Sequence, residues 1–184
     1  MVPADLTSRR PRGAVRSLIL KNIILIGMPS AGKSTVGVLL AKKCVMNFLD
    51  TDLLLQEEGG ASLEALIDRE GEAAFLAREG ALLSRLTAEN TVIATGGSAV
   101  YSEEGMRHLR DIGTVLYLKV SEAEVTARVG DLHRRGVVLH GCPDLAALYR
   151  ERTRLYERWA DATADLTGLD AAGALHAMLA ALGA

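Results

Sequence analysis

Four residues in one short stretch carry the first chemical signal. Gly27, Gly32, Lys33 and Ser34, within LIGMPSAGKSTVG, satisfy G-x-x-x-x-G-K-[ST]. An apolar run ending at Ile26 precedes them, and a helical pattern beginning near Lys33 follows. Glycine lets the backbone fold into a concave nest whose N–H groups face phosphate oxygens. The next helix adds its unpaired amides and positive dipole end to the same anion. Pro29, Ser30, Ala31 and Thr35 complete the cradle for a nucleotide phosphate. Lys33 can reach the β- and γ-phosphates, and the Ser34 hydroxyl can ligate Mg²⁺.

Two acids follow. FLDTD places Asp50 and Asp52 at the carboxyl end of the next strand pattern, the sheet edge where ligands bind in open α/β folds. Residues two apart in an extended segment point the same way, so both carboxylates are expected to face one cleft. One acid near Mg²⁺ and one near an acceptor hydroxyl would divide the work of phosphoryl transfer. Solvated turn aspartates are the alternative, which the adjacent phosphate loop disfavours. In ATGGSAV, Gly96 and Gly97 suit close backbone approach to a ligand, or simply a tight turn.

The arginines divide by face. Arg150, Arg154 and Arg158 recur at i, i+4 and i+8 beside Glu151 and Glu157, as on a solvated face. Arg152 shares the opposite face with Leu148, Leu155 and Trp159. Its charge needs an anionic partner, either a buried acid or an anionic ligand. Arg128 and Arg135 flank a loop-like segment, where an arginine can cover a transferring phosphate or lie on the surface.

The elements that must position these groups alternate along the chain. Strand patterns lie at 22–26, 47–50, 91–95, 114–120 and, more weakly, 162–167. Helical patterns lie at about 33–44, 62–69, 72–87, 103–110, 121–129, 144–161 and 170–182. This alternation predicts an α/β fold, a parallel sheet covered by helices on both faces. Segments 53–88 and 130–143 fit it poorly. The 184 residues, 49% hydrophobic, suit one compact domain over 21–184.

A net charge of −2 gives no electrostatic case for nucleic acid or an anionic membrane. Cys44 and Cys142 lack metal-site spacing, and so do the four histidines. The reading is a reduced, cytoplasmic protein, expected to be a monomer. Arg9 and Arg10 form a twin-arginine pair, but Lys21 and Asn22 interrupt the apolar run after it. Residues 1–20 therefore read as a basic, disordered tail rather than an export signal.

The chain resembles the shikimate kinase family, P-loop kinases of nucleoside monophosphate kinase-like fold. The similarity rests on KSTVG, on FLDTDLLLQEEGGASLEALIDREGEAAF, on ATGG and on ERTRLYERWAD, and runs from about residue 22 to 165. It implies a P-loop NTPase three-layer fold with a five-stranded parallel sheet, an acceptor-binding segment at about 51–80 and a lid at about 130–143. It implies Mg²⁺ and ATP, with phosphorylation of a ring hydroxyl of shikimate to shikimate 3-phosphate. Lys33 and Ser34 match the phosphate-loop lysine and magnesium serine, and Asp50 the acid near the metal. Asp52 matches the acid that contacts acceptor hydroxyls and can act as base. Gly96 and Gly97 match glycines lining the acceptor site. Arg128 matches an adenine-stacking arginine, Arg135 the lid arginine, and Arg152 the arginine gripping the substrate carboxylate.

Three positions depart from the pattern. Leu76 stands where the family has a second carboxylate-binding arginine, Ser98 replaces a third glycine, and Gly136 replaces a lid proline. Arg78 cannot substitute for the missing arginine, because two helical steps turn it about 200° away. Losing one arm of the clamp weakens carboxylate binding by about 1.5–3 kcal/mol. Leu76 either presents an apolar surface to the acceptor or packs with Leu83. Two other readings remain open: a related kinase for a hydroxy amino acid or sugar acid, and a nucleotide-binding, non-catalytic homologue. A nucleoside monophosphate kinase would want several lid arginines.

Overall fold

The computed structural model describes residues 21–130, 132 and 136–184. The basic tail at 1–20 and the lid arginine Arg135 lie outside the described residues.

Wholly apolar, β-branched NIILI forms β1 (Asn22–Ile26), buried along its whole length. The other strands are β2 (Asn47–Asp50), β3 (Thr91–Ala94), β4 (Gly113–Lys119) and β5 (Ala162–Asp165). They form one parallel sheet in the order β2-β3-β1-β4-β5. Ile24 pairs with Ile93 on one side and Val115 on the other. β3 is buried throughout like β1, whereas the edge strands β2 and β5 are only partly covered.

The helices are α1 (Lys33–Cys44), α2 (Thr51–Gly59), α3 (Leu63–Glu70) and α4 (Glu72–Ser84). They continue with α5 (Glu103–Ile112), α6 (Glu122–Val129), α7 (Leu145–Trp159) and α8 (Ala171–Ala181). α1 packs on β2 and β3, and α8 on β4 and β5; α5 and α7 pack against β4 elsewhere. Because β1 lies centrally and the chain turns back on either side of it, a crevice opens at the strands' carboxyl ends.

Two expectations need correction. Segment 53–88 holds more helix than its periodicity indicated: α2 begins at Thr51, directly after β2. A short 3₁₀ turn at Ala99–Tyr101 also follows the ATGGS stretch. Asp50 and Asp52 consequently do not share one extended segment. Asp50 ends β2 and caps α2, accepting from the Asp52 N–H at 3.0 Å, while Asp52 lies in the first helical turn.

Candidate active site

β1, β2 and β3 each deliver one part of the site at their carboxyl ends. After β1, the chain enters the phosphate loop with Gly27 at φ 148°, Ser30 at 63° and Gly32 at 93°. A side chain at Gly27 would place Cβ 2.6 Å from the Leu118 carbonyl oxygen of β4, so glycine is required there. α2, α3, α5, α6, α7 and α8 each begin with a side-chain cap. α1 begins at Gly32 with neither a side-chain cap nor an acid in its first turn, which leaves a helix terminus suited to an anion.

Lys33 is buried, and its Nζ donates to the carbonyls of Gly27 (2.8 Å) and Met28 (2.9 Å). Burial lowers its pKa to about 8; the Asp52 charge opposes the shift and Arg152 adds to it. Ser34 Oγ donates to Asp50 Oδ2 at 2.6 Å. A hydroxyl and a carboxylate side by side at a phosphate loop are the hard oxygen donors that suit Mg²⁺. Among the described residues no group of three or more His, Cys, Asp or Glu could hold a metal. Phosphate oxygens and water would complete the coordination of such an ion.

A cavity of about 260 Å³ joins these parts. The loop residues Pro29, Ser30, Gly32, Lys33, Ser34 and Thr35 form one wall. Asp52, Gly96, Gly97, Ser98 and Arg152 face them, with Gly136, Val137 and Val138 also lining the space. Burial raises Asp52 to about 6; Asp50 adds to the shift and Lys33 opposes it.

The glycine pair is needed for close approach rather than unusual torsions. A Cβ on Gly96 would meet Glu79 Oε1 at 2.3 Å and Asp52 Oδ1 at 2.9 Å. One on Gly97 would meet Pro29 Cδ at 2.8 Å and an Arg152 guanidinium nitrogen at 3.0 Å. Thr51 Oγ1 accepts from the Gly96 N–H, and the Tyr156 hydroxyl donates to the Gly97 carbonyl, fixing this turn. Ser98 has ordinary right-handed torsions (φ −91°, ψ −8°), so its backbone tolerates a side chain.

Arg152 is 1% exposed. Its Nη2 donates to the Val138 carbonyl at 2.7 Å and its Nε to the Tyr101 hydroxyl at 3.4 Å, with the guanidinium 5.2 Å from the Tyr101 ring centre. The apolar-face argument thus located a buried charge that lines the cavity.

Leu76 is half-buried, packs against the hydrophobic core and is not among the cavity-lining residues. Arg78 is held elsewhere, donating through Nε and Nη2 to Glu70 at 3.0 and 2.8 Å. Arg128 is exposed, ion-paired with Glu124 and away from the cavity walls. Gly136 has φ 62°, closed to proline, and a Cβ there would lie 2.5 Å from Leu63 Cβ.

Sequence reasoning missed Glu72 and Glu79. The Glu72 carboxylate accepts from the N–H groups of Leu139 and His140, tying α4 to the segment that covers the cavity. Glu79 is buried on the α4 face that also carries Phe75, Leu82 and Leu83. The rule that singled out Arg152, a charge on an apolar face, would have found Glu79 too.

The family model for shikimate kinase matches residues 29–182. The chain belongs to the shikimate kinase family. Family members use ATP to phosphorylate an alcohol group. A shikimate kinase from Thiobacillus denitrificans is 37% identical over 155 residues, covering 83% of this chain and 85% of that protein. One from Vibrio vulnificus is 40% identical over 146 residues, covering 78% and 85%. The structure of shikimate kinase from Acinetobacter baumannii in complex with shikimate superposes with a TM-score of 0.78 at 29% identity, covering 92% of this chain and 98% of that one.

Proposed function

We propose that this chain transfers the terminal phosphoryl group of ATP to a hydroxyl of shikimate, giving shikimate 3-phosphate. The observation that carries this reading is convergence: Lys33, Ser34, Asp52 and Arg152 face one cavity, although they come from three separate parts of the chain. Membership in the shikimate kinase family supplies the acceptor.

The roles follow from placement. The α1 amides and Lys33 bind the β- and γ-phosphates, so Lys33 exchanges its carbonyl partners for phosphate oxygens. Asp52 accepts a hydrogen bond from the attacking hydroxyl, orients it and takes its proton as the O–P bond forms. Arg152 binds the acceptor carboxylate, and Gly96 and Gly97 let the ring approach closely. Arg135 covers the transferring group, and Arg128 stacks on adenine. Ser34 and Asp50 would hold Mg²⁺, which neutralises phosphate charge when bound. The protein works as a cytoplasmic monomer with one domain over 21–184.

The test is ATP-coupled turnover across shikimate, hydroxy amino acids, sugar acids and nucleoside monophosphates. Shikimate should dominate, and Asp52→Asn should lower kcat by about a hundredfold or more. Shikimate turnover no faster than the acceptor-free background would overturn the assignment.

A further inference from the structure

Among the described residues no carboxylate accepts a hydrogen bond from the buried Arg152. Its Nη2 is held by the Val138 carbonyl at 2.7 Å, and its Nε donates to the Tyr101 hydroxyl at 3.4 Å. Nη1 makes no hydrogen bond among the described residues and stands against Gly97 at the cavity wall. The Tyr101 hydroxyl in turn donates to Glu151 Oε1 at 2.7 Å, so a carboxylate lies behind the guanidinium with one hydroxyl between them. His140 completes the cluster: its ring stacks on Tyr101 with centres 4.0 Å apart, and its Nδ1 lies 3.2 Å from the same Glu151 oxygen. Cys142 Sγ donates to the other Glu151 oxygen at 3.1 Å.

We propose that Tyr101 and Glu151 are positioning residues for the acceptor carboxylate: they hold the Arg152 guanidinium in an orientation that leaves Nη1, beside Gly97, for the acceptor. This rests on the acceptor reading above. A carboxylate only accepts hydrogen bonds, and a guanidinium only donates them. The hydroxyl between the two therefore has a fixed sense, with its proton on the Glu151 side and a lone pair facing Nε. The Tyr101 hydroxyl, with Cys142 and His140, holds the Glu151 carboxyl below its ordinary range although burial opposes the shift. Its negative charge then offsets a buried cation that a hydroxyl alone would satisfy only in part.

Neither Tyr101 nor Glu151 lines the cavity, so both act through Arg152. Among the described residues Arg152 is the one arginine on the cavity wall, since Leu76 packs against the core and Arg78 is paired with Glu70. A long side chain that is free to turn loses rotamer freedom when it captures an anion, and one already locked by two partners does not. The segment covering the cavity joins the same cluster through His140. Its backbone is left-handed at φ 52° and is anchored by its N–H to Glu72 at 3.1 Å.

The experiment measures kcat and the KM values for shikimate and ATP in wild type, Tyr101→Phe, Glu151→Ala, Glu151→Gln and the combination of Tyr101→Phe with Glu151→Ala. Tyr101→Phe keeps the ring against His140 and removes only the oxygen. Its shikimate KM should rise about tenfold, with kcat changed by less than about threefold and the ATP KM unmoved. Glu151→Ala should raise the shikimate KM by a similar factor. The combined variant should go no further, because both changes act through one hydroxyl. Glu151→Gln, which can still accept from that hydroxyl, should recover most of the loss. An unchanged shikimate KM in Tyr101→Phe, additive effects in the combined variant, or a parallel rise in the ATP KM would overturn the positioning role and leave the kinase assignment intact. Absence of shikimate turnover in the wild type would overturn both.

Discussion

At Glu79, burial fixes the sign of a stability effect. The folded protein holds this acid near 7, above the ordinary range of an unfolded chain. A raised folded pKa contributes stability that is complete below the unfolded pKa and lost as pH rises through the folded one. Glu79→Gln should therefore stabilise the protein at pH about 8 by about 1–3 kcal/mol, with the advantage vanishing near pH about 5. Urea midpoints at the two pH values measure this, and equal midpoint differences would contradict it. Gly97 offers a second residue-level test, since a methyl there collides with both Pro29 and Arg152. Gly97→Ala should spread the phosphate loop from the acceptor wall and lower kcat/KM by about tenfold or more, measured by steady-state kinetics.

Elements decide how these residues meet. α2 starts on an Asp50 cap, so one carboxylate receives the Ser34 hydroxyl and the Asp52 N–H, while Asp52 itself turns to the cavity. The segment from Gly136 to His140 is fastened at three points: against Leu63, to Arg152 through the Val138 carbonyl, and to Glu72 through two N–H groups. Gly136→Ala adds a methyl where Leu63 Cβ already lies and imposes strain at φ 62°. It should lift this segment, raise amide hydrogen exchange at 137–140 and reduce kcat/KM by about tenfold. Unchanged exchange there would show that the contact with α3 does not hold the segment down.

On the scale of the whole molecule, strand order brings the phosphate loop after β1, Asp50 at the end of β2 and the glycine turn after β3 to one edge of the sheet. Nucleotide binding should therefore stabilise the whole fold rather than one loop. ATP with Mg²⁺ at about a hundredfold excess over Kd should add about 2.7 kcal/mol, seen as a rise in Tm. Lys33→Ala should abolish most of that rise.

The sequence by itself determined the architecture and half of the site. β1 is legible because β-branched apolar residues buried on both faces leave few alternatives, and GMPSAGKS because a phosphate nest requires glycine at fixed spacing. Arg152 is legible because a charge on an apolar helical face must have a partner. α2 is obscured because TDLLLQEEG is short and lacks a clear apolar stripe, so only the Asp50 cap, formed once β2 ends, declares it. The role of position 76 belongs to tertiary structure. Leu76 packs against the core, Arg78 is held by Glu70, and the cavity is lined by Arg152, Ser98 and the glycine pair instead. Spacing along a chain says which side chains share a face, but which of them enter a cavity depends on the packing of elements distant in sequence.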